Sequence, residues 1–442
     1  MTKAMKKQAK EELPQELVME ILLRLPPRSI LRFSHVSRRW SNMVNQEYFR
    51  DLQSQRPPLN RNPEILFFNV QVPRDKPDDH QNVVLNMSWL GLATHHIIKL
   101  NRQQRLSMEL MNCPMLDAYG SLYLPSVACN GLLCIVPTGN FHERSIMVCN
   151  PLTLEYITLP PCTTTEIFDC SAVLGFAPST KEYKVVGISI NYYFEARYCK
   201  PRGEIKVYTL GSGGLWRDVH HHVDFEPLWT KESTLYVDGK IHWVVRWPQL
   251  RGKLGLLSFD VETEDSMIHN VPGFGPRPAR FPDFQLAALQ GCRLSMFINQ
   301  GSRIEAWVLN DTKNDHGWEL RHEIVLPSLS KNISDPWNLR RKPVGRLLGI
   351  WELDDGVILI LLKDTVLLYD GRRVVSREEL PDITAYTSQA FWFLCSGYYS
   401  SLASLKKYGI TQTGERFSNL NRELLPPPYI QLPPNPNGLP CS

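Results

Sequence analysis

The residues that most suggest chemistry in this sequence are three consecutive histidines, His220-His221-His222, whose natural office would be to hold a metal ion. On a strand, alternate side chains point to opposite faces, so three neighbours cannot all face one ion. The run therefore reads as a solvated loop. Zinc finds no support elsewhere, because no Cys-x-x-Cys pair occurs and Cys162 and Cys170 lack partners at ligand spacing. Gly211-Ser212-Gly213-Gly214 has the glycines of a phosphate cradle without the Gly-Lys-Ser/Thr and following helix, so it reads as a hairpin turn. The sequons Asn86-Met87-Ser88 and Asn332-Ile333-Ser334 would matter only in a secretory path, which nothing else supports. The expectation is a binding protein with no catalytic residue, no metal and no cofactor.

Composition narrows what is bound. Residues 1–56 carry 11 Lys/Arg against 6 Asp/Glu, which leaves 38 against 39 for the remainder of this 442-residue chain. A nucleic-acid binder concentrates its basic excess on the domain that grips phosphate, so nucleic acid is not the expected ligand. The longest apolar stretch, Val357 to Leu362, is far too short for a membrane span. Ten cysteines at irregular spacing, with no signal-peptide pattern before them, fit reduced thiols in the nucleus or cytoplasm. The basic run Lys3, Lys6, Lys7, Lys10 reads as a solvated tail over residues 1–10.

The elements that must position a binding surface fall into two kinds. From Leu13 the apolar positions Leu13, Leu17, Ile21, Leu22 and Leu25 recur at spacings of three and four, one stripe on a helix. Pro14 suits the first turn, Glu16 places negative charge at the positive end of the helix dipole, and Pro26-Pro27 ends the helix. A second short helix carries Ile30, Leu31 and Phe33, and Ser37 is a candidate N-cap for a third carrying Trp40, Met43 and Val44. So small a bundle buries little surface and holds more apolar residues than it can enclose, which leaves open a cap on the larger domain or a docking surface.

This string resembles an F-box: Leu13-Pro14 opens it, Ile21-Leu22-Leu23-Arg24-Leu25-Pro26 is its centre and Val36-Ser37-Arg38-Arg39-Trp40 its close. It departs from the pattern at Ser37, where many relatives have Cys. The resemblance implies that residues 11–56 insert into the Skp-type adaptor of a cullin ubiquitin ligase. The matching positions are Leu13, Pro14, Leu17, Ile21, Leu22, Leu25, Pro26, Ile30, Leu31, Val36 and Trp40, to be divided between core and contact.

Beyond Arg56-Pro57-Pro58 the pattern becomes short apolar runs punctuated by Gly, Asn, Asp and Pro, which is all-β. Residues 57–128 read as a linker and first β segment. A strand pair then recurs: Leu132–Cys134 with Ile146–Cys149, Tyr183–Val186 with Ile205–Tyr208, Ile241–Trp243 with Leu256–Phe259, Leu294–Phe297 with Ile304–Trp307, and Val357–Leu359 with Val366–Tyr369. Taking Cys149, Tyr208, Phe259, Trp307 and Tyr369 as equivalents, the gaps are 59, 51, 48 and 62 residues. Gaps near this size fit four-stranded propeller blades with loop insertions, which must pack around a common axis.

Asn150-Pro151-Leu152-Thr153, Leu174-Gly175-Phe176-Ala177-Pro178 with Tyr183–Val186, and Val207-Tyr208 followed by Trp216 resemble the F-box-associated, kelch-like β-propeller domain of plant F-box proteins. The resemblance spans residues 129–405, although the glycine pairs of true kelch repeats are absent. The fold expected is therefore α+β multidomain, a three-helix F-box before an all-β propeller of about six blades. Residues 64–100 would supply an early blade and Phe391–Leu394 would close the ring. Residues 406–442, rich in proline, read as a disordered tail, and Pro426-Pro427-Pro428-Tyr429 matches a WW-domain ligand.

Propeller ligands bind at loop surfaces through aromatic and Arg anchors. Candidates in expected loops are Tyr192, Tyr193, Trp229, Trp247, Trp337, Arg340 and Arg341. The implied function is target recognition within an SCF-type ubiquitin ligase, where the adaptor brings a cullin and a RING subunit and rate is gained by proximity. The alternative is an F-box protein outside the ligase, or a propeller that recognises a glycan.

Overall fold

A computed structural model describes residues 13–56, the strands within 64–111, most of 123–326 and of 347–379, and residues 391–409 with 412–413. Four helices come first: α1 (Gln15–Leu23), α2 (Pro27–Ser34), α3 (Arg38–Val44) and α4 (Glu47–Gln55). The first three are those expected. The fourth adds Phe49, fully buried, which a three-helix bundle of this length lacks.

Among the described residues, strands follow in six sheets. The first holds β1 (Glu64–Gln71), β2 (Val84–Gly91) and β3 (Ser107–Met111). The second holds β4 (Tyr123–Cys129), β5 (Leu132–Pro137), β6 (Met147–Asn150) and β7 (Glu155–Thr158). The third runs β8 (Ser171–Ala177), β9 (Glu182–Glu195), β10 (Tyr198–Thr209) and β11 (Arg217–Val219). The fourth takes β12 (Glu226–Pro227), β13 (Thr234–Val237), β14 (Lys240–Trp247), β15 (Lys253–Asp260) and β16 (Ser266–Asn270). The fifth is β17 (Phe284–Leu289), β18 (Arg293–Asn299), β19 (Arg303–Leu309) and β20 (Trp318–Val325). The sixth is β21 (Leu347–Glu352), β22 (Ile358–Leu362), β23 (Thr365–Tyr369) and β24 (Val374–Glu379).

The ring closes where the sequence suggested. Strand β25 (Phe391–Tyr398) pairs antiparallel with β1, so the first sheet joins the earliest strand to a late one. Strands β25, β4, β8, β13, β17 and β21 then lie side by side in that order, and β21 returns to β25. A second late strand, β26 (Gln412–Thr413), adds to the outer edge of the second sheet through β7.

The five strand pairs read from the sequence are neighbours in the fold, in the registers Leu133↔Cys149, Val186↔Val207, Ile241↔Phe259, Met296↔Trp307 and Leu359↔Leu368. Their turns follow local chemistry. Asn130-Gly131 and Asp238-Gly239 have positive φ at both residues, the two-residue hairpin turn for which Asn-Gly and Asp-Gly are favoured. The core lies in the seams between sheets: Leu132, Ile157, Leu174 and Val185 fill the one between the second and third, and Ala306, Ile324, Leu347 and Ile360 the one between the fifth and sixth. A blade is covered on both faces, which explains why β22 and β23 are buried at every position rather than alternating.

Candidate functional site

The helical module sorts its apolar residues cleanly. Val18, Leu22, Leu23, Ile30, Met43, Val44 and Phe49 form its core. Leu17 and Ile21, on the opposite side of α1, continue a four-residue interval that starts at Leu13 just before the helix, and the three are 53%, 48% and 54% exposed. Val36 is 67% exposed, and Pro14 and Pro26 are also exposed. Leu25, Leu31 and Trp40 are half-buried and pack against the core from its edge. Of the eleven positions that match the F-box pattern, only Leu22 and Ile30 are therefore inaccessible.

Phe33 belongs with the exposed set, and the motif does not single it out. It lies on α2 with its ring edge-on to Trp40, centroids 6.0 Å apart. Its spacing gave no signal, since Phe33 follows the buried Ile30 by three residues, as a buried stripe would.

Local chemistry fixes this surface. The Ser37 hydroxyl accepts a hydrogen bond from Trp40 N at 3.1 Å and so caps α3, a task to which Ser is better suited than Cys. Arg39 donates to the Leu13 carbonyl at 3.2 Å and holds the entry to α1 against α3. Between Ile21 and Gln46 there are five arginines and no Asp or Glu, whereas α1 itself carries Glu16 and Glu20. Hydrogen bonds from Arg24 and Arg56 hold the Glu20 carboxyl below the usual range.

The module is seated on the propeller by buried polar groups. Arg50 Nη1 meets Glu155 Oε1 at 2.8 Å, both side chains buried. The same guanidinium donates to the Val44 carbonyl and to Asn45 Oδ1, at 3.3 and 3.0 Å. Glu155 Oε2 accepts from Ser404 Oγ at 3.1 Å and Leu405 N at 3.0 Å. Gln53 Oε1 accepts from Leu402 N at 2.7 Å, and Lys407 pairs with Asp51 at 2.8 Å. Leu402 is fully buried among the helices, with Leu152 beside it.

The sequence signatures of the large domain have structural tasks. Asn150 donates from its amide to the carbonyls of Ser401 and Ala403, and its Oδ1 accepts from Leu152 N and Thr153 N. A Cβ at Gly175 would stand 2.5 Å from Val261, so only glycine allows the third and fourth sheets this approach. Phe176 N and O both bond to the Tyr236 hydroxyl at 3.2 Å. Trp216 packs against Tyr208 with the rings tilted by 45° and donates to the Pro160 carbonyl at 2.8 Å.

Three target-contact candidates lie in strands, not in the loops expected for them. Tyr192 and Tyr193 fall within β9, paired with Pro201 and Lys200 of β10, because this hairpin extends well past the strands flanking it. Trp247 is the last residue of β14, paired with Lys253 and half-buried beside Gly255. Trp229, Trp337, Arg340 and Arg341 lie outside the described residues, as do His220-His221-His222 and the tail motif Pro426–Tyr429. Gly211–Gly214 links β10 to β11 with no helix after it, as a hairpin turn requires. Cys162 is not activated, since burial pushes its thiol up to about 11. Among the described residues no helix is long and apolar enough to cross a membrane.

A helical module with a spare apolar row, seated on a closed ring of six sheets, defines an α+β multidomain binding protein. Two family models match the two parts: the F-box domain over residues 11–52 and the F-box associated beta propeller domain over residues 89–342. The chain belongs to the plant F-box proteins that carry a C-terminal F-box associated β-propeller. It is similar to the F-box protein At3g07870 of Arabidopsis thaliana, 26% identical over 82% of this chain and 86% of that one. It also resembles the F-box protein At2g21930 of Arabidopsis thaliana, 25% identical over 73% and 74% of the two chains. A solved structure, AofleA from Arthrobotrys oligospora, is 11% identical and covers 78% of this chain and 91% of its own, with a TM-score of 0.38.

Proposed function

We propose that this chain is the target-recognition subunit of an SCF-type cullin ubiquitin ligase. The observation that carries the reading is the apolar row Leu13, Leu17 and Ile21, joined by Val36, on a module whose core is already filled by other residues. Exposed apolar surface of this kind on so small a domain calls for a partner, and the F-box match supports a Skp-type adaptor in that role. Leu13, Pro14, Leu17, Ile21, Pro26 and Val36 are then contact positions, Leu25, Leu31 and Trp40 their margin, and Leu22 and Ile30 the support beneath them.

Through the adaptor the chain joins a cullin and a RING subunit, and the propeller holds the target in the nucleus or cytoplasm. The chain contributes position, while transfer of ubiquitin belongs to other subunits. Tyr192, Tyr193, Trp229, Trp247, Trp337, Arg340 and Arg341 remain the proposed target contacts.

The test is co-elution of the purified chain with a Skp-type adaptor, wild type against Leu17→Asp with Ile21→Asp. A complex formed by the wild type and lost in the variant, with the propeller still folded by circular dichroism, supports the reading. Absence of a complex with the wild type removes it.

A further inference from the structure

The helices are not closed by their own sequence. Leu402 lies in the middle of their core, and it enters directly after β25, the strand that completes the propeller ring by pairing with β1. Ser401 to Leu405 are all buried. They are held from the propeller side by Asn150, by the Asn130 carbonyl that accepts from Ser401 Oγ at 2.6 Å, and by Glu155. They are held from the helical side by Gln53 and, just beyond, by Asp51 through Lys407. One segment therefore leaves the closing strand, crosses the turns of the second sheet and inserts its leucine among α1–α4.

We propose that residues 401–408 are a strap that makes the helical module complete only once the propeller ring has closed, so that the docking surface reports an assembled target-binding domain. The inference rests on the docking reading for its functional half, and on packing alone for its structural half. The physical basis is that four helices of this length are marginal by themselves, and a missing core leucine leaves a cavity at their centre. A chain whose ring is open has β25, and with it Leu402, out of place, and its helices fray.

The experiment uses the full chain, with amide hydrogen exchange read by mass spectrometry and affinity for a Skp-type adaptor measured in parallel. Asn150→Ala is the informative variant, because the four hydrogen bonds of Asn150 go to Ser401, Ala403, Leu152 and Thr153, none of them in the helices. Exchange in α1–α4 should rise tenfold or more while amides of β17–β20 keep wild-type rates, and adaptor affinity should fall at least tenfold. Leu402→Ala should act in the same way and stands in if Asn150→Ala disturbs β17–β20. Unchanged exchange in α1–α4 in both variants overturns the strap. Raised exchange with wild-type affinity overturns its link to docking. A wild type that binds no adaptor defeats the docking reading, while the exchange data still decide the strap.

Discussion

Asn150 and Ala403 lie 253 residues apart in sequence and are joined by a hydrogen bond of 2.8 Å, from the buried side-chain amide to the backbone carbonyl. The bond links the turn after β6 to the segment after β25, and so connects a motif that marks the family to the seat of its helical module.

Leu17→Ala with Ile21→Ala removes side chains that face solvent, so the thermal unfolding midpoint should hardly move while adaptor affinity falls a hundredfold or more. Leu22→Ala should behave in the opposite order. Leu22 is fully buried, and its truncation should cost about 2–5 kcal/mol of helical-module stability. Calorimetry and adaptor titration of the two variants together check the division of the motif into contact and support.

Glu155→Ala should be the more damaging of the two ways to break the buried pair at the seat. It leaves the Arg50 guanidinium without its counter-charge and Ser404 Oγ and Leu405 N without an acceptor, at a cost of about 3–5 kcal/mol. Denaturant unfolding of the full chain measures it. A loss under 1 kcal/mol would mean that water replaces the carboxylate there.

Gly131→Ala should destabilise the ring closure. Gly131 has φ +76°, and an added Cβ would meet Ser401 Cβ at 2.7 Å and its backbone nitrogen at 2.8 Å. Strain and overpacking together predict a loss of about 2–4 kcal/mol. Exchange should increase at Ser401–Leu405 before it increases elsewhere.

Stability should fall as pH drops below the range in which a free imidazole is neutral. His242 is buried, with Nδ1 2.8 Å from Ser258 Oγ, and burial lowers its imidazole from 6.5 to about 3, helped by Lys240 and His269. The neutral ring is favoured in the fold, so protonation of the unfolded chain below pH 6.5 costs stability, and the loss continues down to about pH 3. Between pH 6.5 and 5 this amounts to about 2 kcal/mol. Thermal unfolding of the wild type against His242→Gln should show a flatter acid limb in the variant.

Much of the architecture was legible because it is periodic. Cys149, Tyr208, Phe259, Trp307 and Tyr369 each fall on the third strand of a blade, as the apolar pairs and Gly turns implied. The first three helices were legible through their stripe and prolines, and Ser37 through its position before α3, while α4 was not expected. What could not be read was the division of that stripe. Leu17 and Leu22 are both leucines of one helix, and only the position of α4 and Leu402 decides which one is covered. The long β9–β10 hairpin was missed for another reason. Asn191, Pro201 and Gly203 punctuate it as a loop would, yet cross-strand pairing carries the ladder through them. Leu402 carried no local signal at all, since its partner Gln53 is 349 residues away.

The two-sided cover of β22 and β23 has a consequence for the chain before it is finished. Ile358–Leu362 and Thr365–Tyr369 are consecutive runs of buried residues, with no charge, no proline and no glycine in either. Such runs, stripped of neighbours, stack on copies of themselves in cross-β fashion. The strand β25, which lies against β21 in the ring, follows them in the chain. A chain cut between Tyr369 and Phe391 would lack that strand and leave the ring open beside the segment most prone to seed aggregation.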